Sequence, residues 1–266
     1  MSRLTIFAKG NLDVRDTLHS LKIGDKLIWN GINELLRARA SASLARVQHE
    51  TWTRSDALLE ATGVVPEALK ARPLALGAYT LASQFSEALF ETSPGAFVLS
   101  IQPDLTTQLL RHRRDGFLFY PNDWQVWPSD DQAWLRASFV GAGFIEPAAS
   151  MANFLRIIAR IRTRSAAPIM IYNVSSVVPG EWVHDYSGLG EIYSMRVRKF
   201  NLGLIELSQQ TGVSIIDVDT ILARVGTDRT KYDAVHLTGD GCRAVAEEVV
   251  RVLEDLNCLS AEKAPT

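Results

Sequence analysis

The stretch Lys199–Val218, KFNLGLIELSQQTGVSIIDV, reads as a helix, its terminator and a strand in direct succession. Phe200, Leu204 and Leu207 recur at steps of four and three, which puts them on one face of a 3.6-residue helix. Gly212 follows, a residue that turns left-handed without steric cost and so ends helices readily. Ser214–Val218 is then an apolar run of strand length. Upstream, Pro168–Val174 (PIMIYNV) is the most β-like segment of the chain. Strand, helix and strand in that order form the unit of a parallel sheet covered by helices.

The alternation extends outward from this unit. Leu4–Ala8, Ala45–Thr51 and Ala96–Ile101 read as three further buried strands, the last ended by Pro103. A helix through Ile32, Leu35 and Leu36 follows the first strand, and one over Ser55–Ala61 follows the second. Met151, Phe154, Leu155, Ile158 and Ile161 line one helical face ahead of the fourth. The last helix takes Thr238 as N-cap, with Asp240 facing the positive end of its dipole. It is expected to bury Cys242, Val245, Val249, Val252 and Leu256. The prediction is one three-layer α/β/α domain over residues 1–266, built on a five-stranded, mainly parallel sheet. Ligands of such sheets bind beyond the carboxyl ends of the strands, near a switch point. Chemistry is therefore expected just after Ala8, Thr51, Ile101, Val174 and Val218.

One region breaks the pattern. Residues 102–147 separate the third and fourth strands by more than one helix requires, and they carry Trp124, Trp127, Trp134, Phe117, Phe119, Tyr120, Phe139 and Phe144. These rings either pack an added subdomain against the core or form a lid or substrate wall.

Composition narrows the function class. The 266 residues are 47% hydrophobic and 22% charged, enough to bury a core without disulfides or metals. A net charge of -2 supplies no basic field for nucleic acid or an anionic membrane. Cys242 and Cys258 fit neither a disulfide framework nor a zinc motif and read as inert thiols in a reducing compartment. No apolar run reaches the length of a signal peptide or a spanning helix. The expectation is a cytoplasmic protein with a small-molecule substrate. The phosphate-loop patterns G-x-x-x-x-G-K-[ST] and G-x-G-x-x-G are absent after the first strand, so no nucleotide cofactor is expected. His19, His49, His112 and His184 lack metal-ligand spacing. His184-Asp185 reads as loop polarity or as a border of the site, and Arg111–Arg114 as a solvated face.

The block that carries chemistry is Tyr232–Gly241, YDAVHLTGDG. An Asp three residues before a His, in a turn just ahead of a helix, sets a carboxylate against the imidazole. That contact fixes the tautomer and stabilises the imidazolium. With Leu237-Thr238 and Gly241 behind it, the block resembles the D-x-x-H block of the SGNH/GDSL hydrolases. Ile171–Gly180 (IYNVSSVVPG) and Lys199–Val218 are similar to that family's fourth strand with its loop and to its helix, turn and fifth strand. The resemblance is specific from about Pro168 to Leu253. It implies a flavodoxin-like sheet with Asp233 and His236 as the catalytic pair.

The other blocks depart from the family's pattern. Its nucleophilic Ser follows Gly-Asp in the turn after strand one, but here Lys9-Gly10-Asn11-Leu12 keeps Gly10 and sets Leu12 where the Ser belongs. The oxyanion Gly after strand two has no match in His49–Asp56. The third block, G-x-N-D, reads Ser100-Ile101-Gln102-Pro103-Asp104, in which only Asp104 matches. Proline offers no N–H to an oxyanion.

Three functions fit these residues. One is hydrolysis or acyl transfer at an ester-type bond through a relocated nucleophile or an activated water, with Asp13 as carboxylate nucleophile or base and Ser55 or Ser20 as alternatives. Another is a non-catalytic ligand- or partner-binding protein on the same fold. The third is a different reaction on an anionic substrate, with Lys9 and Arg54 supplying the charge. The expected catalytic set is His236, Asp233 and Asp13, and the expected substrate contacts are Lys9, Gly10, Asn11, Arg54 and Asp104. Five of these have a plainer alternative. Lys9 and Arg54 serve as surface charges paired with Asp13 and Asp56, Asn11 caps a turn, Asp233 braces a loop, and His236 is structural.

Overall fold

In the structure, a computed structural model that describes residues 2–39, 41, 43–177 and 189–259, the five expected strands join in one sheet. They are β1 (Ser2–Lys9), β2 (Ser43–Glu50), β3 (Ala96–Ser100), β4 (Ile169–Tyr172) and β5 (Ser214–Ile216). Every pairing among them is parallel, in the spatial order β2-β1-β3-β4-β5. This is the flavodoxin-like order, whose switch point falls between β1 and β3. The loop 182–186, with His184-Asp185, lies outside the described residues.

The apolar runs are uninterrupted because both sheet faces are covered. Ile6 and Ala8 of β1 face one helical layer, and Phe7 faces the other. The same split recurs with Ala96 and Val98 against Phe97 and Leu99, and with Met170 and Tyr172 against Ile169 and Ile171. On the first face pack the helices Leu12–Leu18, Ile32–Ala38, Val218–Val225 and Gly239–Asp255. On the second pack Ser55–Glu60, Pro147–Arg162 and Tyr193–Thr211. Gly212 ends the last of these at φ 72°. Thr238 caps the C-terminal helix by accepting from the Gly241 amide at 3.2 Å.

Three local features differ from expectation. Between β1 and Ile32 the chain builds a short helix and an antiparallel hairpin, Ser20–Ile23 with Lys26–Asn30. The hairpin contributes buried Trp29, whose indole N–H donates to the Thr17 carbonyl at 3.1 Å. Leu256 sits at the C-cap and is 40% exposed, while Leu253 takes the buried place. The aromatic region is a three-stranded antiparallel sheet, Leu110–His112, Leu118–Phe119 and Phe139–Gly141. Its core of Phe119, Trp127, Leu135 and Phe139 also recruits Leu69, Leu76 and Phe85 from ahead of β3, so it reaches beyond 102–147.

β2 is an edge strand, and the Asn33 side chain covers part of that edge. Its Nδ2 donates to the Ala45 carbonyl at 2.9 Å, and its Oδ1 accepts from the Ala45 amide at 2.8 Å. Cys242 is in the core, where burial pushes its thiol up to about 12, and Cys258 is half-buried. Among the described residues no helix is long and apolar enough to cross a membrane.

The burial pattern of the last helix predicts opposite outcomes for two leucines three residues apart. Leu253→Ala should lower stability by about 2–5 kcal/mol through the cavity it leaves. Leu256→Ala should stay within about 0.5 kcal/mol of wild type. Urea denaturation midpoints of the two variants distinguish them.

Candidate active site

A solvent-open cleft of ≈ 650 Å³ lies over the carboxyl ends of β1 and β3, at the switch point. One wall is the loop that carries Asp233 and His236. A backbone bridge between Lys231 and Leu237 closes this loop, with Tyr232 N donating to His236 O at 2.9 Å and Thr238 N to Thr230 O at 2.9 Å. The helix beneath comes so near that a Cβ on Gly241 would lie 2.2 Å from the Thr230 carbonyl oxygen. Only glycine permits that approach.

Inside the loop, Asp233 both braces the backbone and orients the imidazole. Its Oδ1 accepts from the Val235 and His236 amides at 2.8 Å each, and its Oδ2 lies 2.7 Å from His236 Nδ1. Partial burial works against ionisation of this carboxyl, but the hydrogen bonds from His236 and the two amides outweigh it and hold it below the usual carboxylate range. With Nδ1 committed to the carboxylate, Nε2 is left without a hydrogen-bond partner among the described residues. The His236 ring lines the cleft.

The facing wall comes from the turns after β1 and β3. Ser100 Oγ donates to Asp13 Oδ2 and accepts from the Gln102 backbone N–H at 3.0 Å. Asp13 Oδ1 is buried without a hydrogen-bond partner. Burial pushes the Asp13 carboxyl up, against the opposing hydrogen bonds of Ser100 and nearby backbone. Asn11 Nδ2 donates to Gln102 Oε1 at 3.3 Å, which leaves the side-chain Nε2 of Gln102 without a partner among the described residues. Gln102 lines the cleft and was missed in the sequence, where Pro103 and Asp104 drew the comparison with the family's third block. The aromatic region reaches the cleft through Tyr120, whose ring meets that of Tyr79 edge-on at 4.7 Å.

Asn11, Asp13 and His236 thus converge, with Asp233 behind His236. The other expected contacts do not join them. Lys9 is buried and bonds Glu50 at 2.7 Å, its direct neighbour across the β1–β2 register. Arg54 is buried, grips Asp56 with two nitrogens at 2.8 and 2.9 Å, and donates to the Thr107 and Gly143 carbonyls. Neither cation lines the cleft, so the charge assigned to an anionic substrate is spent inside the protein. The Gly10 carbonyl accepts from His49 Nε2 at 3.0 Å, and burial lowers that imidazole to about 4. Asp104 is fully buried and accepts from the Ser55 amide at 2.7 Å and from the Ser55 and Ser150 hydroxyls at 2.5 Å each. Ser55 is therefore a structural donor, and Ser20 is an exposed hairpin residue. Leu12 lines the cleft, and among the described residues no serine does. Among the described residues no three His, Cys, Asp or Glu side chains gather as a metal site.

Solved structures with this architecture include a lipase/acylhydrolase from Enterococcus faecalis, at TM-score 0.53 and 12% identity over 99% of this chain and 100% of that one. A member of the lipolytic G-D-S-L family from Veillonella parvula gives TM-score 0.50 and 12% identity over 95% and 99%. The acetylxylan esterase Axe2 from Geobacillus stearothermophilus gives TM-score 0.50 and 11% identity over 94% of each chain. The chain has the fold of these hydrolases. At such identities the likeness extends to the fold alone. No protein-family model and no curated protein matches the sequence.

Two expectations follow from the geometry. A serine-directed fluorophosphonate should leave the protein unlabelled by intact-mass analysis, because Leu12 occupies the cleft and Ser55 is buried against Asp104. Stoichiometric labelling of any serine would refute this. Burial also raises Asp104 to about 6. The folded state then holds that proton more tightly than the unfolded chain, whose carboxyl titrates near 4. Stability from this group is complete below about pH 4 and is lost as pH rises through about 6. Relative to Asp104→Asn, wild type should lose on the order of 3 kcal/mol between about pH 4 and 7, read from urea midpoints. Parallel pH profiles would show that Asp104 does not titrate in this range.

Proposed function

We propose that this protein hydrolyses an ester-type bond in a small substrate, with water as the attacking group. One observation carries this reading: the His236 imidazole is held by Asp233 at 2.7 Å on the wall of the switch-point cleft, with Nε2 unengaged. His236 Nε2 accepts a proton as water attacks the carbonyl carbon, and the Asp233 carboxylate stabilises the imidazolium that results. The same proton then passes to the leaving alkoxide as the ester C–O bond breaks. Acyl transfer is the same sequence with an alcohol in place of water. Gln102 Nε2, on the same cleft, is a spare donor for the oxyanion. Asp13, pushed by burial toward its neutral acid, suits a proton-bearing polar wall better than a carboxylate nucleophile. The fold of lipases and acylhydrolases supports the reaction class, and two free cysteines suit a cytoplasmic setting.

Leu12 on the cleft favours a second reading, a ligand-binding protein that has lost turnover. Hydrolysis of p-nitrophenyl acetate separates the two. Activity should disappear in His236→Ala. In Asp233→Asn it should fall by orders of magnitude, toward the roughly 10⁴-fold loss of a triad with the wrong tautomer, while the melting temperature moves little. Equal activity in wild type and Asp233→Asn removes the dyad from catalysis, and a wild type without turnover favours the binding protein.

A further inference from the structure

The small antiparallel sheet of the aromatic region ends in the strand Phe139–Gly141, which pairs on one side only, with Leu110–His112. Register fixes the direction of its backbone groups. Arg113 N donates to Ser138 O and Ala142 N to Leu109 O, each at 2.8 Å, with Arg111 opposite Val140 between them. Such bonds recur at every second residue of an antiparallel pair, so Val140 turns its backbone inward. The Phe139 carbonyl and the Gly141 N–H and carbonyl therefore point off the open edge. Such groups are the template for an added strand.

A solvent-open hollow of ≈ 620 Å³ lies along this edge. Leu110, Phe139 and Gly141 reach it from one face of the sheet, and Val140 and Arg113 belong to the other. The hollow thus sits on the edge itself. Its facing wall is Leu135 and Arg136 of the helix Ser129–Ser138, with Trp124 of the turn before it.

The lining holds two arginines and no carboxylate. Within Arg111–Arg114, Arg111 pairs with Glu60 at 3.3 Å and Arg114 with Asp115 at 2.8 Å, but Arg113 has no carboxylate partner among the described residues. Arg136 is held in place without being neutralised. Its guanidinium lies over the Trp124 ring at 5.2 Å, and one nitrogen donates to Gln132 Oε1 at 3.0 Å. Apolar surface adjoins both cations: Leu135 and Phe139 are buried, and Val140 is 46% exposed.

We propose that a short, extended, acidic segment of a partner protein docks here as a fourth strand. Its main chain pairs with the outward groups of Phe139 and Gly141, a carboxylate meets Arg113 and Arg136, and an apolar side chain covers Val140 and Trp124. The three residues of edge span roughly 10 Å, at about 3.4 Å each. The hollow shares no lining residue with the dyad cleft, so the proposal does not depend on the hydrolase reading.

Titration of acetyl-Glu-Val-Glu-Val-Glu-amide, followed by NMR, tests it. The Gly141 amide and the Trp124 indole N–H signals should move saturably, and added salt should weaken the binding. Two peptides, N-methylated at the valines or at the glutamates, read the backbone pairing. At least one should bind about tenfold more weakly, because one alternate set of N–H groups faces the edge. Arg113→Glu combined with Arg136→Glu should cost about tenfold or more. Should that variant fail to fold, acetyl-Lys-Val-Lys-Val-Lys-amide reads the charge instead: binding equal to that of the acidic peptide overturns the proposal. So do unmoved signals at millimolar acidic peptide, or full binding by both methylated forms. Movement with 2-naphthoate but not with the peptide makes the hollow a small-molecule site. Movement of the Gly141 amide on dilution of the protein alone makes the occupant a second copy of this chain. Either result overturns the partner segment.

Discussion

Helices on both faces of five parallel strands leave polar chemistry one outlet, the edge where the strands end. Strand order then decides which ends meet. Because β1 lies between β2 and β3, the turns that carry Asp13 and Gln102 open side by side, and the loop after β5 and its helix brings His236 over them. Parallel strands have no tight hairpins to organise this edge, so each crossover loop needs its own fastening. Buried polar groups supply it. Asp104 ties the turn after β3 to Ser55 and Ser150. Arg196, buried on the helix Tyr193–Thr211, donates to the carbonyls of Leu105 at 2.7 Å and Ile145 at 2.5 Å. Removing one partner of such a contact leaves the other buried and unsatisfied, which costs more than the bond itself is worth.

On the hydrolase reading, the substitution at Leu12 shifts the burden of catalysis. Covalent catalysis through a hydroxyl is gone, and two contributions remain. General-base assistance by an oriented imidazole is worth roughly 10²–10⁴ in rate, and a placed oxyanion donor about 10²–10³. Among the described residues the site holds one imidazole and one spare side-chain amide donor. That is chemistry suited to an activated ester rather than to an amide.

The sheet was legible in the sequence because its signals are local. A strand covered on both faces must be apolar throughout, so runs such as Ala96–Ile101 announce themselves, and Gly212 and Thr238 mark helix ends through backbone requirements of their own. The dyad was legible for the same reason, since Asp233 and His236 sit within one turn of each other. What was hidden depends on register and side-chain direction. Lys9 follows a strand and reads as a cleft residue, yet parallel pairing sets it opposite Glu50, a partner 41 positions away. Arg54 had Asp56 two residues on, but its burial comes from the Thr107 and Gly143 carbonyls, which only the fold assembles. The hairpin Ser20–Asn30 was missed because its strands expose most of their residues and show little alternation. Gln102 carries no motif, and it became visible only when Asn11 was found to occupy its carbonyl oxygen.

The Asn33 amide has a consequence for how this molecule behaves in company. An edge strand presents unpaired N–H and C=O groups that template the addition of another chain. At Ala45 both groups are already taken by a side chain that imitates the backbone of a missing neighbour. A foreign strand arriving at β2 would have to displace two hydrogen bonds before making its first. The sheet thereby carries a guard against fibrous self-assembly near the start of its edge strand, and it is formed by one residue outside the hydrophobic core.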